Sequence, residues 1–265
     1  MHELELGEAN VLGRCIHELR GGAGTPLLYL HSALGEALPL PYLVELAQRY
    51  QLHVPAHPGF LSSQGIGEIR DVEDLVYHYL AYMDAKGWQS VNVLGLSLGG
   101  WIAAEIAARY PERVANLALV SSVGIWIREQ PITDIFTLDS RYPDRLQKLL
   151  FYDTQCEGAQ MIGPPDFDNT PDELLINILN ALAATAKIGW NPLLHDPRLE
   201  ALLPRVTART LCLWGADDRV VGRAYGEKFA RLIPNAELRV IPQCGHLPPL
   251  EKPAEFLGEV TRFFG

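Results

Sequence analysis

The stretch Gly95-Leu96-Ser97-Leu98-Gly99-Gly100 sets a serine hydroxyl among small residues. The apolar run Val91-Asn92-Val93-Leu94 precedes it, and a helix-like run from Trp101 to Arg109 follows. Strand, tight turn and helix form the setting in which Gly-x-Ser-x-Gly acts as a nucleophile elbow. The glycines let strand and helix close on each other, and the turn holds the serine in a left-handed-type backbone conformation. The helix start points a positive dipole end at the place where an oxyanion would develop. The same residues also suit an ordinary turn, so the partners of Ser97 decide the matter.

A serine hydroxyl is a poor nucleophile at neutral pH. It needs a base, usually a histidine, oriented by a buried carboxylate. Two later segments offer both groups: Gly215-Ala216-Asp217-Asp218 and Gln243-Cys244-Gly245-His246, each after a predicted strand. Taken singly, a strand-end histidine is more often a surface residue and a strand-end aspartate a turn former. Three such residues, each at the carboxyl end of a strand where open parallel sheets gather their ligands, point to nucleophilic catalysis. Both Asp217 and Asp218 are candidates for the carboxylate.

The elements that would position these groups read as an α/β alternation. Residues 3–7 and 14–19 suit an edge strand pair. Pro26 to His31 is a continuous apolar run, fit for a central parallel strand, and it leads into the small-residue loop Ser32-Ala33-Leu34-Gly35. A helix is expected from about Pro41 to Tyr50, then a strand from Gln51 to Val54. Asp71 caps a helix whose apolar residues Val72, Leu75, Val76, Tyr79, Leu80 and Met83 recur at helical spacing, and Gly87 ends it. Leu117 to Val120 is a further buried strand. The rhythm then changes between about Gly124 and Pro204. Helices are expected at about Ser140–Tyr152 and Pro171–Lys187, with Thr170 as cap, separated by turns such as Gly163-Pro164-Pro165. The alternation resumes with a strand at 209–214, a helix at 222–233, a strand at 236–241 and a helix at 253–264. The fold class is α/β: a mostly parallel central sheet with helices on both faces and a helical insertion. The expected domains are a core at 1–124 and 205–265, with the insertion at 125–204.

Bulk properties restrict the partners. A net charge of −10 with scattered Lys and Arg leaves no basic stripe for nucleic acid. No run of roughly 18 apolar residues suggests a membrane span. The N-terminus lacks the pattern of a signal peptide. Cys15, Cys156, Cys212 and Cys244 are dispersed, without metal-ligand spacing, so a cytoplasmic location is expected.

With these residues in place, the chain resembles the capped α/β hydrolases over nearly its whole length. The resemblance rests on His31-Ser32-Ala33-Leu34, Pro58-Gly59-Phe60, Gly95 to Gly100, Leu213-Trp214-Gly215-Ala216-Asp217-Asp218-Arg219 and Gly245-His246, and on the order Ser, Asp, His. It implies Ser97 as nucleophile, His246 as general base and acid, and Asp218, by its spacing from Gly215, as the orienting carboxylate. It implies an oxyanion hole from the N–H groups of Leu98 and Ala33, and a cap made by the insertion. Candidate pocket walls are Leu34, Leu38, Trp126, Trp190, Val220 and Leu247, each of which core packing would explain as well. The family's usual His-Gly is His31-Ser32 here, its Asp-x-Pro-Gly-x-Gly is Ala56-His57-Pro58-Gly59-Phe60-Leu61, and Gly222 stands where a proline is common.

The expected activity is hydrolysis of carboxylic esters of small to medium acyl chains, with no metal or organic cofactor, by a monomer or homodimer. Serine, not aspartate, at the nucleophile position disfavours haloalkane and epoxide chemistry. Two alternatives stay open. One is a carbon–carbon bond hydrolase of ring-cleavage diketo acids; such enzymes tend to carry an aromatic after the histidine, where Leu247 stands here, and an Arg in the cap, for which no residue is assigned. The other is a ligand receptor on a hydrolase fold.

Overall fold

The structure is a computed structural model and describes residues 4–136, 144–161 and 171–265. Among these, eight strands form one sheet: β1 (Leu4–Val11), β2 (Arg14–Gly21), β3 (Pro26–Leu30), β4 (Gln51–Pro55), β5 (Val91–Leu96), β6 (Val114–Val120), β7 (Arg209–Gly215) and β8 (Ala236–Ile241). Their order is β1-β2-β4-β3-β5-β6-β7-β8. The hairpin β1–β2 lies at one edge, β2 pairs antiparallel with β4, and all later neighbours are parallel. β3 and β5 are apolar throughout apart from Asn92 and are almost wholly buried, as central parallel strands require.

The helices are α1 (Pro41–Ala47), α2 (Val72–Ala85), α3 (Leu98–Arg109), α4 (Arg145–Leu150), α5 (Glu157–Met161), α6 (Asp172–Gly189), α7 (Leu199–Leu202), α8 (Arg223–Leu232), α9 (Pro248–Glu251) and α10 (Pro253–Phe264). From β3 the chain moves through α1 to β4 on one side. From β5 it moves through α3 to β6 on the other. Right-handed crossovers therefore put α1 and α3 on opposite faces. α10 packs on α1, and α2 packs on α3. The reversal between β3 and β5 opens a crevice at the carboxyl ends of those two strands, the usual ligand position in such sheets.

Local signals account for most boundaries. Asp71 accepts the N–H groups of Glu73 (3.0 Å) and Asp74 (3.2 Å), capping α2. Gly87 follows α2 with φ of 73° and donates to Asp84. α3 begins earlier than its alanine pattern suggests, directly after Ser97. The insertion between β6 and β7 holds helices and no strand among the described residues. A parallel bridge between Gly124 and His195 closes its neck, with Asp196 N–H donating to the Gly124 carbonyl at 3.0 Å. α6 starts at Asp172 behind an extended Pro171, one residue later than expected. Thr170, the start of the helix expected at Ser140, and the Gly163-Pro164-Pro165 turn lie outside the described residues. The short helices α5, α7 and α9 carry no sequence signal of their own. They form where docking supports one turn that propensity alone would not.

A buried carboxylate staples the antiparallel edge to α2. Glu18 on β2 meets His53 Nδ1 at 2.8 Å, Lys86 Nζ at 2.8 Å and the Tyr82 hydroxyl. Burial pushes its carboxyl up, but hydrogen bonds from His53, Lys86 and Tyr82 outweigh this and hold it at about 2. A depressed folded-state value contributes stability above the ordinary carboxylate range, and that contribution fades as pH falls towards 2. Glu18→Gln is expected to cost about 3 kcal/mol at neutral pH, because Lys86 loses its buried partner. Urea unfolding at several pH values checks this: the gap between variant and parent should close as pH falls from about 4.5 to about 2.

Candidate active site

Each chemical group sits in a turn at the carboxyl end of a strand. Ser97 follows β5 with φ of 52° and ψ of −108°, a strained backbone for a residue other than glycine. Its N–H donates to the Val120 carbonyl at 2.9 Å, and its carbonyl accepts from Trp101 N–H at 3.1 Å and Val123 N–H at 3.3 Å. These bonds to the adjacent strand and the following helix hold the strained turn in place. Glycine is required around it for space. A Cβ on Gly99 would land on the Leu30 carbonyl, and one on Gly95 would land on the Gly99 carbonyl. Gly99→Ala is expected to lose at least about 3 kcal/mol of stability, because a backbone carbonyl cannot move aside cheaply. A thermal melt followed by circular dichroism measures the loss.

Asp218 lies in the turn after β7. Its Oδ1 accepts the N–H groups of Val220 and Val221, both at 2.9 Å, and its Oδ2 faces His246 Nδ1 at 2.9 Å. Asp217 is half-buried, and among the described residues only its N–H is engaged, donating to the Cys244 carbonyl at 2.9 Å. Of the two aspartates, it is Asp218 that meets the histidine.

His246 follows β8, and its Nε2 lies 2.9 Å from Ser97 Oγ. With Nδ1–H donating to the carboxylate, Nε2 is left as an acceptor for the serine proton. All three side chains are buried. The histidine loop is anchored to the insertion: His246 N–H donates to the Leu150 carbonyl at 2.7 Å. Glu251 takes Gly245 N–H at 2.6 Å and Asp153 N–H at 2.7 Å. Glu251 has no sequence signal, because a glutamate at the end of one helical turn reads as solvated surface.

The loop after β3 forms the other wall. His31 Nδ1–H donates to the Ser32 carbonyl at 2.7 Å, and its Nε2 accepts His57 N–H at 2.8 Å. His57 Nε2–H returns a bond to the His31 carbonyl at 2.8 Å, and its Nδ1 accepts the Tyr79 hydroxyl. Burial pushes His31 down to about 4 and His57 well below the usual histidine range, so both stay neutral and keep these tautomers. Past this pair, Ala33 N–H has no acceptor among the described residues, whereas the N–H groups of Ser32, Leu34 and Gly35 are all engaged. Leu98 N–H, first in α3, lacks an intrahelical acceptor.

A pocket of about 400 Å³, including its open mouth, meets these groups. Ser97 and His246 reach it, with Ser32, Ala33, Leu34, Leu247, Ile135 and three leucines of the insertion, Leu146, Leu150 and Leu182. Of the six walls expected from sequence, Leu34 and Leu247 line it and the other four do not. Val220 is buried in the aspartate turn, where its N–H binds Asp218. Trp126 stacks on His195 at 5.0 Å, near the neck of the insertion. Trp190 sets its edge against Phe136 and is 60% exposed, and Leu38 is 42% exposed. The insertion supplies its leucines instead, and the spacing of Leu146 and Leu150 by one turn is the signal that could have found two of them.

A family model for the alpha/beta hydrolase fold matches residues 25–253. The chain belongs to this family. A 2-hydroxy-6-oxo-6-phenylhexa-2,4-dienoate hydrolase of Burkholderia cepacia is 28% identical over 220 residues, 76% of this chain and 72% of that protein. A pimeloyl-[acyl-carrier protein] methyl ester esterase of Chromobacterium violaceum is 27% identical over 223 residues, 80% of this chain and 83% of that one. Among solved structures, a 2-hydroxy-6-oxo-6-phenylhexa-2,4-dienoate hydrolase from a Rhodococcus species superposes with a TM-score of 0.82 at 22% identity. That match covers 100% of this α/β hydrolase and 99% of the Rhodococcus chain, and it speaks for the fold. No helix among the described residues is long and apolar enough to cross a membrane.

Proposed function

We propose that this α/β hydrolase cleaves carboxylic esters of small to medium acyl chains through an acyl-enzyme on Ser97. His246 Nε2 takes the Ser97 proton as Oγ attacks the ester carbonyl, and Asp218 steadies the imidazolium that forms. The tetrahedral oxyanion is received by the N–H groups of Ala33 and Leu98, each donor worth about 3–4 kcal/mol in the transition state. The ester C–O bond breaks and the alcohol leaves with the proton from His246. Water then gives its proton to His246, attacks the acyl carbon and releases the acid, restoring Ser97. Residues 125–204 act as a cap that roofs the pocket and excludes water. The substrate is a small molecule, the enzyme works as a monomer or homodimer, and its location is cytoplasmic.

What supports an ester most directly is the pocket wall beside Ser97. Apart from Ser97, His246 and Ser32, the described lining is aliphatic, which suits the acyl chain of an ester. The identity to a methyl ester esterase is consistent with this. A second reading has its own support: carbon–carbon bond hydrolysis, in line with the dienoate hydrolase relative. Leu247 after the histidine, where ring-cleavage hydrolases tend to carry an aromatic, speaks against it. One experiment separates the two. A p-nitrophenyl ester series from two to twelve carbons is assayed beside the absorbance loss of a 2-hydroxy-6-oxo dienoate. The ester reading expects turnover on the short and middle esters with the dienoate untouched. The reverse pattern would transfer the assignment to carbon–carbon cleavage, and binding without turnover of either would make the protein a receptor.

A further inference from the structure

A second buried carboxylate lies beside this site and takes no part in the relay. Glu36 follows the β3 loop and is 5% exposed. It is bound almost entirely by one residue. Ser32 N–H donates to Glu36 Oε2 at 2.9 Å, and the Ser32 hydroxyl donates to Oε1 at 2.5 Å. Ser32 Oγ in turn accepts Leu34 N–H at 3.1 Å, and the Ser32 carbonyl accepts Gly35 N–H at 3.2 Å. The loop is thus wrapped around Ser32. Three of its four successive N–H groups, those of Ser32, Leu34 and Gly35, are consumed internally. The fourth, Ala33, on the pocket wall, is left without an acceptor among the described residues.

Among the described residues no cation is paired with this buried carboxylate, so its donors must hold it. Burial raises the Glu36 carboxyl above its ordinary range, and the bonds from Ser32 offset only part of this. Both Ser32 groups donate, so the clip is complete only with a carboxylate as acceptor. A glycine at position 32 would have no hydroxyl for Glu36 or for Leu34 N–H.

We propose that Ser32 and Glu36 form a positioning clip that fixes the β3 loop so that, of the loop's N–H groups, that of Ala33 is the one presented beside Leu98 N–H to the developing oxyanion. This rests on the ester hydrolase reading above and assigns the loop geometry of that same site. Glu36 touches neither substrate nor Ser97 in this role; it acts through the backbone of residues 32–34. A clip of this kind should act on the transition state rather than on ground-state binding. A displacement of the donor by about 1 Å can cost about 100-fold.

The test compares the parent protein with Glu36→Gln, Ser32→Ala and Ser32→Thr on a p-nitrophenyl ester. Affinity for a trifluoromethyl ketone, which forms an oxyanionic hemiketal on a serine, and the thermal midpoint are measured alongside. Glu36→Gln and Ser32→Ala are expected to lower kcat roughly 10- to 100-fold with KM within about 2-fold. The ketone's affinity should fall in step with kcat/KM. Ser32→Thr, which keeps the hydroxyl, should restore most of the rate. Unchanged kcat in both disruptive variants would overturn the clip, and so would a loss of rate with ketone affinity intact. If Glu36→Gln does not fold, the pair Ser32→Ala and Ser32→Thr carries the same contrast. An inert parent that also ignores the ketone would overturn the ester reading itself, and the clip's role with it; an active parent with indifferent variants overturns the clip alone.

Discussion

Ser97→Ala is expected to lower ester turnover by about 10⁴-fold or more while leaving the fold and substrate affinity nearly unchanged. In the proposed mechanism the hydroxyl bonds to the acyl carbon, and His246 Nε2 lies 2.9 Å from it, in place to receive the proton. The substitution removes one atom from a buried site and leaves the strained backbone, so any effect on stability should be small. Steady-state assay on a p-nitrophenyl ester beside a thermal melt separates the two quantities. Residual activity within about tenfold of the parent would remove Ser97 from the chemistry.

Asp218→Asn is expected to cost about 10⁴-fold in kcat with little change in KM. The introduced amide can still accept the N–H groups of Val220 and Val221 through its oxygen. It then turns its NH₂ towards His246 Nδ1, which must become an acceptor, and the ring proton moves to Nε2. That proton faces Ser97 Oγ and blocks the general base. Asp217→Asn is the matched control and should stay within about 2-fold of the parent, because among the described residues only its backbone is engaged. Kinetics on the two variants decide which of the adjacent aspartates orients the histidine.

The sheet and the meeting of Ser97, His246 and Asp218 were legible because their signals are local. The buried strands show as apolar runs, and the glycines around Ser97 show as a spacing that a backbone turn imposes. Asp218 and His246 show only as strand-end residues, yet strand ends of a parallel sheet share one edge, so their meeting follows from topology. The pocket was less legible. Leu146 and Leu182 sit on helices whose docking depends on tertiary contacts, while Trp126 and Trp190 are packed elsewhere in the same insertion. Glu36 and Glu251 were invisible for a different reason. A glutamate in a loop or at a helix end reads as solvated, and only the fold shows backbone N–H groups turned onto it.

The central claim is a covalent acyl group on Ser97, and rapid quenching tests it most directly. The protein is mixed with excess p-nitrophenyl butyrate, stopped in acid within the first turnovers, digested and examined by mass spectrometry. A butyryl group on the peptide containing Ser97, matched by a burst of p-nitrophenol and absent from Ser97→Ala, is the predicted result. Sustained turnover with no acyl group on that peptide, or with one on another residue, would contradict it.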